Sequence, residues 1–330
     1  MINNGLLYPW HKTTWDRIVA QKDRLPHAIL LYGSVGTGKF DFAKHLSQSL
    51  LCDRPQHHQA CQQCAKCLWF NEGHHPDFKL ITPEESETSE ELGKKKTTKK
   101  HAITVDQIRQ LIQAISLSNH DSHALRIVLI HPAESLNSAA ANALLKTLEA
   151  PPNNTIFILV THQIQGLLPT IRSRCQAISM PLPNKTEAIA WLNLHLNTSA
   201  TQQAEALLEY AGGAPLLALQ ASLDFDINQP LFKQLAMGAQ LDAFSLAPLL
   251  LTNGMEKALT ILQKWVYDIL LSANALQLRY HLPYTKTLQA LSKSVNLMLL
   301  LDFQRQLNAA KQVSNHPLNQ EIQLEALLIQ

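Results

Sequence analysis

The sequence has little glycine, little charge and few aromatic residues. Its 11 glycines among 330 residues are about 3% of the chain, against a usual ~7%. Charged residues make up 16% and aromatic residues 6%, whereas apolar residues reach 46%. This excess of apolar over charged residues argues against an intrinsically disordered chain. Scarce glycine beside abundant leucine, alanine and glutamine indicates a helix-rich protein.

An excess of charge of one sign and a long apolar run are also lacking. The net charge is only +2, which excludes a protein that coats nucleic acid by charge alone. The strongly apolar runs, such as 156–160 and 297–301, are far shorter than the ~20 residues of a membrane-spanning helix. The N-terminus has no charged segment followed by an apolar one, so we expect no secretion signal. These features predict a cytoplasmic protein whose five cysteines form no disulfides.

Short apolar runs alternate with helical stretches in the first half of the chain. The runs are Ala28–Tyr32, Phe78–Ile81, Ile127–Ile130, Ile156–Val160 and Ala177–Met180. Helices are predicted between them, at Phe40–Leu51, Val105–Ile115 and Ser138–Leu148. Apolar runs separated by helices are typical of strands buried on both faces of a parallel sheet. We therefore predict an α/β domain over residues 1–180.

A charged segment over residues 83–101 interrupts this domain. Five glutamates are followed by five lysines with almost no apolar residue, so the segment cannot contribute to a core. We interpret it as a solvated, mobile insertion, with a nucleic-acid contact through the lysines as the alternative.

The second half of the chain is predicted to be helical. Pro181, Leu182 and Pro183 indicate a linker, and helical patterns on either side of Gly212 and Gly213 predict a small helical domain over residues 181–225. Residues 226–330 form a third, helical domain in this interpretation. Its predicted helix Met255–Ala273 has an apolar stripe, which is either an internal core or an oligomerisation surface. The stripe consists of Leu262, Trp265, Val266 and Ile269.

A candidate phosphate-binding loop follows the first predicted strand. Gly33, Gly36, Gly38 and Lys39 fit the pattern G-x-x-x-x-G-K, in which backbone amides and a lysine hold phosphates at the start of a helix. The next residue should be serine or threonine, whose hydroxyl binds Mg²⁺, but it is Phe40. ATP binding at this degenerate loop is therefore expected to be weak or absent.

The acidic half of an ATPase site is missing as well. An active enzyme places aspartate and glutamate after a later strand, to bind Mg²⁺ and to polarise water. Here His131 and Pro132 follow the third predicted strand. Glu134 comes three residues late, and we expect it to cap or decorate a helix rather than to act as a base. Two independent defects thus indicate a damaged ATPase.

Four cysteines have the spacing of a metal site. Cys52, Cys61, Cys64 and Cys67 lie within sixteen residues, and two-residue gaps let neighbouring thiolates meet at one ion. Four sulfur ligands in a cytoplasmic protein predict a closed, structural Zn²⁺ site. An iron–sulfur cluster is the rival interpretation, although the usual Cys-Pro ligand is absent.

The order of these motifs resembles the bacterial DNA polymerase III clamp-loader subunits of the AAA+ superfamily, and the delta-prime type most of all. The resemblance extends over about residues 20–220. It depends on the phosphate loop, the cysteines, the stretch Asn142-Ala-Leu-Leu-Lys-Thr-Leu-Glu149 and the tripeptide Ser173-Arg174-Cys175. On composition alone, Arg172 and Arg174 would be ordinary surface cations.

The resemblance implies an AAA+ domain with a zinc module, a small lid domain and a helical collar for oligomerisation. It also implies that Arg174, beside Ser173, serves as an arginine finger for the ATP of a neighbouring subunit. Thr161 would be the polar sensor of the nucleotide site, whereas Ala214 and Pro215 stand where an active subunit has a sensor arginine. The expected partners are gamma/tau and delta subunits in a hetero-pentamer, and through them the sliding clamp and primer-template DNA.

These departures from an active subunit favour a non-hydrolysing component of a DNA-directed DNA polymerase holoenzyme. Whether the chain is itself an enzyme stays open. One alternative is an ATP-hydrolysing AAA+ subunit of the gamma/tau type. A second alternative is a zinc-dependent nucleic-acid-binding module, against which the small net charge argues.

Overall fold

A computed structural model describes residues 7–84, 102–117, 125–196, 203–252, 254–312 and 319–329. The chain divides into two compact units, with the division between Glu187 and Ala188. The predicted mobile insertion at 83–101 lies, beyond Glu84, outside the described residues. No helix in the described part of the chain is long and apolar enough to cross a membrane.

The first unit alternates strands and helices, as the apolar runs predict. Its strands are β1 Ala28–Tyr32, β2 Phe78–Ile81, β3 Arg126–Ile130, β4 Thr155–Thr161 and β5 Gln176–Ser179. Its helices are α1 Lys12–Val19, α2 Lys39–Leu51, α3 Ala65–Asn71, α4 Val105–Leu117, α5 Ser138–Glu149 and α6 Pro169–Arg172, after which α7 Lys185–His195 crosses the division. Each predicted strand lies within one or two residues of an observed one.

The five strands form one parallel sheet in the order β2-β3-β4-β1-β5. Side chains alternate between its faces, so Leu30 and Val128 pack with α4 and α5, whereas Leu31 and Ile127 pack with α1 and α2. Both faces are therefore buried, which explains why the central strands are apolar runs rather than alternating ones. The carboxyl ends of β1, β3 and β4 meet at one edge of the sheet, where ligands bind in open α/β folds.

The described residues of the second unit form helices joined by turns and loops, with no strand among them. Its elements are the end of α7, then α8 Ala204–Tyr210, α9 Pro215–Leu235, α10 Ala243–Leu251, α11 Met255–Ala273, α12 Thr285–Ser294, α13 Leu297–Gln312 and α14 Gln320–Leu328. The stripe from Leu262 to Ile269 is buried in the core of this unit, which favours the core interpretation over the surface one. The predicted boundary at residues 225 and 226 falls within α9.

A buried carboxylate organises the loop that follows α11. Asp268 is fully buried and accepts backbone N–H hydrogen bonds from Arg279, Tyr280 and His281 at 2.7–3.2 Å. The Nδ1 atom of His281 also contacts it, at 2.9 Å. Burial alone would raise the pKa of Asp268, but these hydrogen bonds outweigh burial and lower it. The carboxylate thus closes a loop that would otherwise leave three amides unpaired.

Candidate functional site

The phosphate loop connects β1 to α2 and is tightly packed. Gly36 and Gly38 have φ angles of 77° and 83°, a left-handed conformation that favours glycine. A Cβ atom on Gly38 would lie 2.4 Å from Cε2 of Tyr8, so no larger residue fits without a shift. The loop therefore has the conformation that the glycine spacing predicts.

Lys39 is directed into its own loop. Its Nζ atom donates a hydrogen bond to the carbonyl oxygen of Ser34 at 2.6 Å, and the residue is only 2% exposed. Burial lowers the pKa of Lys39 to about 8, although the charge of Glu134 partly opposes this shift. A carbonyl oxygen of the same loop thus satisfies the ammonium group that would otherwise contact phosphate.

Aromatic residues near the N-terminus cover this loop. The rings of Tyr8 and Trp10 stack with centroids 5.0 Å apart. Trp10 donates its indole N–H to the carbonyl oxygen of Thr37 at 2.9 Å, and Tyr8 donates its hydroxyl to Asp41 at 2.9 Å. This cover was not predicted, although the cluster Tyr8-Pro9-Trp10 is a signal for it in the sequence.

Aromatic rings occupy the metal side of the loop. Phe40 stacks on His131, with centroids 4.4 Å apart and an angle of 19° between the rings, and His131 meets His162 edge-on at 5.3 Å. Burial lowers the pKa of His131 to about 4, and the charge of nearby His162 contributes to the same shift. The ring of His131 is therefore neutral at pH 7. These residues do not fit the hydroxyl and carboxylate pair that holds Mg²⁺ beside a nucleotide.

Glu134 and Thr161 both have structural contacts at this edge. Glu134 accepts the backbone N–H of His162 through Oε1 at 2.9 Å, which joins the turn after β3 to the end of β4. Thr161 is fully buried, and its hydroxyl accepts the backbone N–H of Gln163 at 3.1 Å. The fold thus brings Lys39, His131 and Thr161 to the same edge of the sheet.

The four cysteines converge between α2 and α3. Their sulfurs lie within 4.8 Å of one another, and the Cys52–Cys64 and Cys61–Cys67 pairs are each 3.9 Å apart. Tetrahedral ligation with Zn–S bonds of about 2.3 Å requires sulfurs about 3.8 Å apart. Backbone N–H groups of Gln63 and Cys64 lower the pKa of Cys61 to about 6, which favours the thiolate that a metal needs. The group could hold a metal ion such as zinc.

Side-chain amides attach this cysteine module to α2. Gln48 of α2 is linked to Gln62 by reciprocal hydrogen bonds of 3.1 and 3.0 Å, and it donates to Asn71 at 2.8 Å. The ligand group contains only cysteines, although four nearby histidines are potential alternative ligands. These are His57, His58, His74 and His75.

Arg174 lies between α6 and β5 at the surface of the first unit. Its Nε atom donates to Oε1 of Glu149 at 2.8 Å, and its Nη2 atom contacts the same oxygen. Its Nη1 atom donates to the carbonyl oxygen of Thr170 at 2.9 Å and lies 3.4 Å from the hydroxyl of Ser173. None of these partners belongs to the phosphate loop, so the fold does not bring Arg174 into the site of its own chain.

Cys175, the next residue, packs against the core instead. Burial raises the pKa of its thiol to about 11, which favours the protonated thiol at pH 7.

Comparisons with known proteins identify the family of this chain. A family model described as DNA polymerase III, delta subunit, matches residues 12–184. Proteins named DNA polymerase III subunit delta' are 38% identical over 212 residues in Pseudomonas aeruginosa and 34% identical over 214 residues in Escherichia coli K12. The chain belongs to the DNA polymerase III delta-prime family. Each of the two matches covers 64% of this chain and 60% of the relative.

The family assignment confirms the resemblance found in the sequence. The five-stranded parallel sheet of the first unit and the helices of the second confirm the expected fold class, an α/β domain followed by helical structure. Among solved structures, a DNA polymerase III gamma subunit-related protein from Thermotoga maritima is 17% identical. The match covers 96% of this chain and 97% of the Thermotoga maritima protein, with a TM-score of 0.46.

Proposed function

We propose that this delta-prime chain is a non-hydrolysing stator of the DNA polymerase III clamp loader. In this proposal, Arg174 completes the ATP site of a neighbouring gamma/tau subunit while the sliding clamp is loaded onto primed DNA. The observation that carries the proposal is the separation of two cations: Lys39 is held inside its own loop, whereas Arg174 is at the surface.

The loop of this chain supports the non-hydrolysing part of the proposal. Phosphoryl transfer relies on a bound metal and on a positioned water molecule. Here Phe40 and His131 stack in the region where an active subunit has a hydroxyl and an acid. Nucleotide binding is therefore weak or absent, and hydrolysis by this chain does not occur.

Arginine suits the role in trans because its guanidinium is always charged and binds phosphate oxygens in a fixed fork. The side chain of Arg174 is 29% exposed and follows the short helix α6, which leaves it accessible to a neighbouring subunit. An arginine supplied in this way makes hydrolysis depend on assembly, since the site exists only when two subunits meet.

The second unit offers a surface for the gamma/tau and delta partners. At the start of α13, apolar side chains are exposed, with Met298 at 68% and Leu299 at 67%. Exposed apolar residues that cluster in this way are typical of protein interfaces. We assign the hetero-pentamer contacts to this helical unit, and contact with the clamp and primer-template DNA to the assembled complex in the cytoplasm.

The ion held by the four cysteines is proposed to be structural Zn²⁺. All four tetrahedral positions are filled by protein sulfurs, so no position stays open for a reacting water molecule.

Replacing Arg174 with alanine tests the proposal. The variant should fold and assemble, but the DNA-stimulated ATPase of a complex reconstituted with gamma/tau and delta should fall by about a thousandfold. Arg172→Ala is the matched control, because Arg172 is exposed and lies two residues away. Unchanged ATPase activity in the Arg174→Ala complex would exclude the finger role.

Two further assays examine the alternative functions. Mg²⁺-dependent ATP hydrolysis by the isolated chain, abolished by Lys39→Ala, would identify an ATPase of the gamma/tau type instead. Tight, salt-sensitive DNA binding by the isolated chain would favour the nucleic-acid module.

A further inference from the structure

Arg174 is held by an acid in the isolated chain. Both Nε and Nη2 are bonded to Oε1 of Glu149, the last residue of α5, and the Glu149 side chain is 53% exposed. Glu149 ends α5 and Arg174 follows α6, so the two residues are 25 positions apart in the chain, with all of β4 and α6 between them. The pair therefore fixes the orientation of the guanidinium with respect to the end of α5.

The position of Glu149 is unfavourable on local grounds alone. The C-terminal end of a helix carries partial negative charge, so an acid in the last turn is destabilising and a base is preferred. Lys146 is the basic residue in that turn, yet Glu149 ends the helix. A nearby cation compensates for this charge, and Arg174 supplies it.

The bonds to Glu149 leave part of the guanidinium for another ligand. A guanidinium has five N–H groups. Arg174 forms four hydrogen bonds to described residues, namely Glu149, Thr170 and Ser173, so one of its N–H groups has no partner among them and can bind an incoming oxygen. The carboxylate thus fixes the side chain without saturating its donors.

We infer that Glu149 is a positioning residue, which holds the Arg174 guanidinium ready for a phosphate on a neighbouring subunit. This inference rests on the proposed finger role of Arg174. Contacts with two helices, through Glu149 of α5 and Thr170 of α6, define where the guanidinium lies before the subunits meet. The rotamer entropy of a long side chain is then lost before the encounter with nucleotide and not during it.

Stability alone does not account for the pair. Exposed ion pairs contribute ~0–1 kcal/mol to folding, since water and salt screen the charges. Glu149→Gln should therefore fold and assemble like the native chain. Its side chain keeps the size and one acceptor oxygen but loses the charge that orients the guanidinium.

The test is Glu149→Gln in the complex reconstituted with gamma/tau and delta. We expect kcat of the DNA-stimulated ATPase to fall about tenfold, because misplaced catalytic groups lose much of their effect. KM for ATP should stay unchanged, since Glu149 contacts no nucleotide in this proposal. The matched control is Glu72→Gln. Glu72 is an exposed glutamate directly after α3, and its substitution should leave both constants unchanged.

A double variant separates positioning from a merely structural role. In an Arg174→Ala background, Glu149→Gln should cause no further loss, since the residue that it positions is gone. An additional loss of activity in the double variant would overturn the inference. An unchanged or increased kcat in the Glu149→Gln single variant would overturn it as well. If Arg174→Ala leaves the ATPase activity unchanged, the finger proposal fails. If Arg174→Ala lowers the activity but Glu149→Gln does not, only the role of Glu149 is contradicted.

Discussion

Lys39 and Arg174 are two cations of the same sheet domain, in contrasting surroundings. Lys39 is 2% exposed and donates to a carbonyl oxygen of its own loop, to which Trp10 is also hydrogen-bonded. Arg174 is at the surface, and a carboxylate from another element holds it. The lysine of the phosphate loop is thus packed inside the domain, whereas the arginine that we propose to serve a neighbouring subunit is accessible.

In the proposed function, the chain has lost one role of a shared ATP site and has kept the other. The substitutions at the loop replace polar metal ligands with rings that stack on each other, so they add packing where they remove chemistry. No such packing reaches the guanidinium of Arg174, whose described partners are polar atoms. The following predictions test this contrast.

The largest expected effect concerns the cysteine module, residues 52–67. Gln48 links this module to α2, the helix that follows the phosphate loop. Cys67→Ser removes a fully buried ligand and should lower the free energy of unfolding by about 4 kcal/mol, because metal binding stabilises only the folded site. Urea unfolding measures the loss, and metal analysis should find about one zinc per native chain. Cys175→Ser, outside the metal group, is the control. A native chain that is metal-free and equally stable would contradict the prediction.

The next effect sharpens the Arg174 side of the comparison. Arg174→Lys keeps a positive charge but loses the planar fork, so the reconstituted ATPase should fall about a hundredfold. Steady-state hydrolysis in the presence of primed DNA gives the rate, with Arg172→Lys as control. Full activity of Arg174→Lys would show that charge alone suffices and that geometry does not matter.

A glycine substitution tests the packing of the loop. Gly38→Ala places a Cβ atom against the buried ring of Tyr8 at a left-handed φ angle, so stability should fall by about 2 kcal/mol. Ser173→Ala at the exposed Arg174 side should change stability by less than about 0.5 kcal/mol. Denaturant midpoints at equal m values compare the two variants. Similar midpoints would mean that the loop is no more tightly packed than the surface at Arg174.

The smallest effect is a pH dependence at the loop. Burial lowers the pKa of His131 from 6.5 to about 4 in the folded chain. Between these values the unfolded chain binds more protons than the folded one, so stability falls as the pH drops from 6.5 towards 4. His131→Phe retains the stack on Phe40 and should reduce this loss by about 1 kcal/mol, below the ~3 kcal/mol of the full shift because solvent screens a half-buried ring. Unfolding curves at several pH values measure it, and identical pH profiles for both chains would refute the shift.

Most of the sheet domain follows from the sequence because its strands are continuous apolar runs. β3 begins one residue earlier than predicted, since Arg126 is buried and its Nη1 atom donates to the carbonyl oxygen of Ile115 at 2.9 Å. A charged residue in a buried strand cannot be anticipated from periodicity. The metal group was predictable too, because its ligands are close in the chain.

Contacts between distant segments were not predictable. The cover of the loop by Tyr8 and Trp10 joins residues 27 or more positions apart, and the Arg174–Glu149 pair joins residues 25 apart. Asp268 lies within a predominantly apolar helix, and its burial, which implies hydrogen-bond partners, is known only from the structure.

Helix α9 continues past the predicted domain boundary at 225, since no glycine interrupts it there.

The indole of Trp10 has a practical consequence. Its N–H is bonded to the backbone of the phosphate loop, and its ring is stacked on Tyr8, so any rearrangement that frees Thr37 also changes the polarity around this fluorophore. The chain has five tryptophans. A version in which Trp10 alone is retained would carry an intrinsic optical reporter of loop opening, without an added dye.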